Sequence, residues 1–233
     1  MKILAIETST ESCSVAVWAD GAEHVRETIA GQRHSELLMG MLDDALTESG
    51  LRVADMDGIA FGSGPGSFTG IRIACGVVQG LAFAAHKPVI AISSLLALAE
   101  TAGASRVIAA FDARMGETYL AAYERNGMAW KSVIEPCLAD CRSLPPVDGK
   151  GWIGIGSGFD AHAYVFGAYG AQVSRVVSGR LPSAREVARL AAKAMAAGAA
   201  IRPELAVPLY VRNKVALTSA ERAAHRGRGV VQT

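Results

Sequence analysis

Only four cysteines occur in the 233 residues, at Cys13, Cys75, Cys137 and Cys141. Their scatter excludes a disulfide framework and a four-thiolate metal site, and the closest pair is a CxxxC, not a CxxC. They read as reduced, mostly buried small hydrophobes. The five histidines, His24, His34, His86, His162 and His225, show no metal-ligand spacing among themselves, so no metal is expected. Excess charge is lacking too. Lys and Arg number 23 against 22 Asp and Glu, a formal net charge of +1, so no global field advertises a polyanionic partner, while a local patch stays open. Hydrophobic residues make up 51%, yet no charge-free stretch is longer than 73–86, which is rich in Gly and Ala. It is shorter than the roughly 18 apolar residues a membrane span needs. Met1-Lys2 runs directly into Ile3-Leu4-Ala5-Ile6-Glu7, with no basic-then-apolar leader. The expectation is a cytoplasmic protein with no membrane partner, long enough for one large or two modest domains.

Against these absences stands one dense stretch, Ala60-Phe61-Gly62-Ser63-Gly64-Pro65-Gly66-Ser67-Phe68-Thr69-Gly70, running into the small-residue segment 71–86. An apolar run, a glycine loop and a nearly charge-free segment describe a strand, a tight turn and a buried helix. Glycine allows close backbone approach, and a helix start offers unpaired N–H groups to an anion. Two readings stay open: a structural turn, or a nucleotide or anion loop built on Gly64, Gly66, Ser67 and Thr69.

Taken in order, 2–6 and 14–18 read as strands joined by a polar turn, and Asp20-Gly21 signals a hairpin to a third strand over 22–29. A helix is expected over 34–49, with Leu37, Leu38, Met41, Leu42, Ala45 and Leu46 on one stripe and Gly50 past its end. Strand 57–61, helix 71–86, strand 88–92 and a helix through Thr101 complete an α/β unit of ribonuclease-H-like order, with helices on both faces of a mixed sheet.

The opening then repeats. Strand 108–112, the turn Ala113-Arg114-Met115-Gly116, strand 117–123 and Asn126-Gly127 match the first strand, turn, strand and hairpin, and the spacings from Glu7 to Gly21 and from Asp112 to Gly127 differ by one residue. The second copy is abridged, because Pro136, Pro145 and Pro146 leave no room for the long first helix. Strand 151–156, a helix over 159–169, strand 173–177 and a helix from Ser183 to Ala197 follow. The expected domains are lobes 1–104 and 105–203 and a partly basic tail, 204–233. In that tail Arg212, Lys214, Arg222, Arg226 and Arg228 face Glu204 and Glu221. It is either a solvated tail or an arm for nucleic-acid phosphates.

Two tandem units of this kind are the plan of the actin, heat-shock-70 and sugar-kinase superfamily, in which ATP lies in the cleft and turn acids organise magnesium. Glu7 and Asp112 stand where such acids would stand, although Glu7 is one methylene longer than the usual Asp. They either hold a metal-bound water or simply cap their turns.

The text of 62–73, with Ile3-Leu4-Ala5-Ile6-Glu7-Thr8-Ser9-Thr10 and Asp112-Ala113-Arg114-Met115-Gly116-Glu117-Thr118-Tyr119, resembles the TsaB (YeaZ) family over nearly the whole chain. The resemblance implies a non-catalytic subunit that activates TsaD in forming N6-threonylcarbamoyladenosine at position 37 of tRNAs reading codons that begin with A. The implied partners are TsaD as a heterodimer, the ATPase TsaE, a second copy in isolation, and tRNA through the complex. TsaD relatives carry two metal-binding histidines four apart on the helix after strand 88–92; Ser94 and Leu98 fall there in this chain, and neither replaces an imidazole. No catalytic residue and no intrinsic cofactor are therefore expected, with ATP or ADP bound only in the assembled complex.

The same resemblance implies that helices 34–49 and 71–86 form the partner face. Ser35, Met39, Gly40, Ile73, Gly76, Val77 and Gly80 are its candidate residues, and the alternative is that helix 71–86 lies in the chain's own core. The competing function is an ATP-dependent small-molecule kinase or ATPase, which needs Glu7, Asp112 and the loops at 62–70 and 154–158 to converge on one cleft. The glycoprotease activity once ascribed to TsaD relatives fails for want of a histidine pair or HExxH.

Overall fold

In a computed structural model that describes residues 1–211, the chain forms two sheets of five strands each. The basic part of the tail, from Arg212 onward, and His225 lie outside the described residues. The first sheet contains β1 (Lys2–Glu7), β2 (Ser12–Ala19), β3 (Ala22–Ile29), β4 (Gly58–Gly64) and β5 (Val89–Ser93) in the order β3-β2-β1-β4-β5. The second contains β6 (Arg106–Asp112), β7 (Glu117–Asn126), β8 (Ala129–Asp140), β9 (Trp152–Ile155) and β10 (Val173–Val177) in the matching order β8-β7-β6-β9-β10. In each, the first strand pairs antiparallel with its hairpin partner and parallel with the strand after the crossover: Glu7 faces Ser14 and Ile3 faces Gly58, as Asp112 faces Thr118 and Val107 faces Ile153. The fold is thus two tandem ribonuclease-H-like lobes of the actin superfamily plan.

The second lobe is abridged in its helices and not in its sheet. In the first lobe, α1 (His34–Ser49) and α2 (Phe68–Ala85) cover one face. Their counterparts are a loop after β8 and two short helices, α4 (Ser157–Ala161) and α5 (Ala163–Ala168), broken at His162 where one helix over 159–169 was expected. Strand β8 runs through Pro136 to Asp140, a stretch in which the prolines excluded only the long helix; it is an edge strand, where a missing N–H is tolerated.

Helix α2 starts at Phe68, not at 71, because Ser67 caps it: its Oγ accepts from Gly70 N at 3.2 Å. At 18 residues and a mean hydropathy of 1.5, α2 is long and apolar enough by composition to cross a membrane. Here Ala74, Cys75, Val78 and Ala82 bury one side of it against Leu4, Ile6, Ile59 and Phe61 of the first sheet.

The two middle helices are exchanged across the 104/105 boundary. Helix α3 (Ser94–Glu100) packs Leu95, Leu98 and Ala99 on Val107, Ala109 and Phe111 of the second sheet. Helix α6 (Ala184–Ala196) packs Ala184, Val187, Ala188 and Ala191 on Ile3, Ala5, Ala60 and Ile90 of the first. Glu100 fastens the exchange: it accepts from Arg125 Nη2 of β7 and Trp130 Nε1 of β8, and Lys193 Nζ of α6 lies 3.8 Å away. Residues 204–211 also return to the first lobe, where Ala206 is buried beside α2 and Leu209 N donates to Ser63 O at 2.8 Å.

Candidate functional site: an interlobe cleft and an open helix face

Both β1 and β6 end at a cleft of about 410 Å³ between the lobes. Ser9, Thr10 and Glu11 line it from the first turn, Gly66, Ser67 and Phe68 from the glycine loop, Asp112 and Arg114 from the second turn, and Tyr210 from the returning tail.

The glycine loop is shaped by close backbone approach. A Cβ on Gly66 would overlap the carbonyl of Ser9, and one on Gly70 the carbonyl of Thr8. Ser67 N donates to Ser9 O at 2.7 Å and Thr8 Oγ1 to Gly70 O at 2.8 Å, so the first turn and the loop are stitched together. Gly64 has φ +104, which favours glycine. Of the four expected loop residues, Gly66 and Ser67 face the cleft, Gly64 sits behind it against Ile71, and Thr69 is exposed beyond it.

The two turn acids do not meet. Glu7 is completely buried; one carboxylate oxygen accepts from Ser9 N and the other from Ser94 Oγ at 2.8 Å. Burial pushes its pKa up against the lowering effect of those hydrogen bonds. Asp112 lines the cleft and accepts from Arg114 N at 2.9 Å and from His162 Nε2 at 3.0 Å. Burial works upward on it as well, but these bonds and the neighbouring Arg114 and His162 outweigh it and hold the carboxyl below its usual range. A magnesium nucleotide bound as in the wider superfamily does not fit this arrangement: one acid has both oxygens engaged away from the cleft, and the other is held by a histidine and its own turn. Among the described residues no cluster of three His, Cys, Asp or Glu side chains could hold a metal ion.

Ser94 and Leu98 are committed to the interior. Ser94 Oγ also accepts from Gly64 N at 3.2 Å, and Leu98 is fully buried, pressed towards Gly156.

The α1–α2 face is open. Met39 is 52% and Phe83 71% exposed, while a Cβ on Gly40, Gly76 or Gly80 would meet nothing within 4 Å. Ser35 is exposed and Ile73 and Val77 are half-buried between the core and this face. The alternative of a helix sandwiched in its own core therefore holds for one side of α2 only.

Sequence reasoning passed over Arg72, Tyr210, His162 and Ser9. Arg72 Nε donates to Tyr210 Oη at 2.8 Å across 138 residues, and His162 reaches Asp112 across 50, pairings that no local pattern announces. Ser9 lies buried at the cleft wall, and its side chain helps to hold down the Glu7 carboxyl.

The tRNA N6-adenosine threonylcarbamoyltransferase family, TsaD, matches residues 25–151. The tRNA threonylcarbamoyladenosine biosynthesis protein TsaB of Escherichia coli is 39% identical over 93% of this chain and 96% of its own. The TsaB protein of Haemophilus influenzae is 37% identical over 70% and 75%. Two solved structures from Pseudomonas aeruginosa share the fold at 37% identity. One, described as uncharacterised with similarity to the peptidase YeaZ, has a TM-score of 0.84 and covers 91% of this chain and 99% of its own. The other, YeaZ, has a TM-score of 0.80 and covers 90% and 99%. With the glycine loop, the duplicated hairpins and both sheets in agreement, the chain belongs to the TsaB (YeaZ) family.

Proposed function

We propose that this chain is a non-catalytic, activating subunit of the cytoplasmic machinery that forms N6-threonylcarbamoyladenosine in tRNA. Its direct partner is TsaD, with TsaE joining the assembly and tRNA engaged through the complex. The observation that carries this reading is the α1–α2 face. A helix of 18 residues leaves Gly76, Gly80 and Phe83 bare beside Met39 and Gly40, and bare glycines let a facing helix approach closely. Ser94 and Leu98, turned inward where TsaD relatives carry their histidines, support placing the transfer chemistry on the partner. The engaged Glu7 argues against a kinase and supports nucleotide entering only with partners assembled.

On this reading a homodimer uses the same face and competes with TsaD. Co-elution of purified TsaD with the wild-type chain and with Gly76→Arg tests it. The wild type is expected to pair with itself and with TsaD, and the variant with neither. Retention of both associations by Gly76→Arg would overturn it.

A further inference from the structure

Helix α2 carries one formally charged side chain, Arg72, and it is held in place from two sides. Its guanidinium carbon lies 3.6 Å from the ring centroid of Phe68 and 5.5 Å from that of Tyr210, and Nε donates to Tyr210 Oη. A planar guanidinium fixed in this way has given up its rotamer freedom before any partner arrives. Nη1 and Nη2 have no partner among the described residues, and the side chain is exposed at the end of the open face.

Helix α1 carries the opposite sign. It holds Glu36, Asp43, Asp44 and Glu48 with no lysine or arginine. Glu48 is taken by Arg26 of β3. Glu36, Asp43 and Asp44 are exposed and form no ion pair among the described residues. Glu36 and Asp43 lie on the stripe of Met39 and Gly40, at helical spacing along the exposed side of α1. Around a two-fold axis, any contact between an arginine of one copy and an acid of the other occurs twice.

We propose that Arg72 sets the charge specificity of self-association: its prearranged guanidinium receives the carboxylate of Glu36 or Asp43 from helix α1 of a second copy of this chain. The pairing rests on the reading of the α1–α2 face as an interface. Glycines at its centre allow close approach, and the ion pairs at its edge fix register and partner sign.

Sedimentation equilibrium of the full chain measures the homodimer dissociation constant. Arg72→Glu is expected to weaken it at least about tenfold, since both symmetric pairs become repulsive. Glu36→Arg or Asp43→Arg, which leave the Phe68–Arg72–Tyr210 stack intact, is expected to weaken it similarly. Combining the effective acid reversal with Arg72→Glu should return affinity to within about threefold of wild type, as restored complementarity requires. An unchanged constant in Arg72→Glu overturns the proposal, and so does a loss that neither reversal restores. Gly76→Arg separates the failures. If it alone dissociates the dimer, the face stands and the charge pairing falls; if neither variant does, the face falls as well.

Discussion

Ser94 Oγ donates to Glu7 Oε2 at 2.8 Å across 87 residues of sequence, beneath the bare backbone of Gly62. The bond ties the end of β1 to the start of α3 and fills the space where a side chain on β4 would point. It turns a glycine that looked like part of a ligand loop into a packing requirement.

Two glycine substitutions should therefore have opposite signs. A Cβ on Gly62 would overlap the Glu7 carboxylate and crowd Ser94 Oγ, so Gly62→Ala is expected to destabilise the fold by about 3 kcal/mol. A Cβ on Gly76 meets nothing of its own chain within 4 Å in mid-helix, so Gly76→Ala should stabilise the monomer by about 0.8 kcal/mol. Urea unfolding of both variants checks the signs.

Glu7 and Asp112 should titrate stability in opposite directions. The folded pKa of Glu7 is raised, so its contribution is complete below its unfolded value and is lost as pH rises through the folded value. Glu7→Gln should remove that loss, and its stability relative to wild type should improve with rising pH. The folded pKa of Asp112 is lowered, so its contribution is present above its unfolded value and is lost as pH falls through the folded one. Asp112→Asn should lose most near neutrality. Unfolding free energies measured across the acid and neutral range separate the two profiles.

Glu100 joins α3 to β7, β8 and α6, so Glu100→Ala should leave Arg125 and Trp130 without their acceptor and weaken the exchange of helices between the lobes. The expected cost is about 2 kcal/mol, the range for leaving part-buried donors without their charged acceptor. Burial raises the Glu100 pKa, but the bonds from Trp130 and Arg125 outweigh it, so the stabilisation is lost as pH falls through the lowered value. Glu100→Gln at neutral pH should recover part of the loss in the same assay.

The returning tail is an integral part of the first lobe. Ala206 O accepts from Gln79 Nε2 at 2.9 Å and from Cys75 Sγ at 3.5 Å, so Gln79→Ala should destabilise by about 1 kcal/mol. Ending the chain at Pro203 should cost more, because it also uncovers Cys75 and frees Arg72 from Tyr210. Thermal unfolding of the two variants orders the effects.

What the sequence revealed was local. The Asp20-Gly21 turn, the stripe of Leu38, Leu42 and Ala45, and Gly50 placed β2, β3 and α1, and the repeated hairpin announced the second sheet. The pairings that define the site were not legible, because they join distant residues. Ser94 reaches Glu7, Arg72 reaches Tyr210, His162 reaches Asp112, and α6 crosses to the first sheet. Pro136 spoke against a long helix and left β8 unannounced, because an edge strand accepts a proline that a helix interior does not.

The central claim, that this chain activates a partner and does not itself catalyse, is tested most directly by reconstituted threonylcarbamoyl transfer. The assay combines tRNA, threonylcarbamoyl-adenylate, purified TsaD and TsaE, with and without this chain, and this chain alone. The account predicts modification only when this chain and TsaD are both present. Modification unchanged by its omission, or produced by this chain alone, would contradict it.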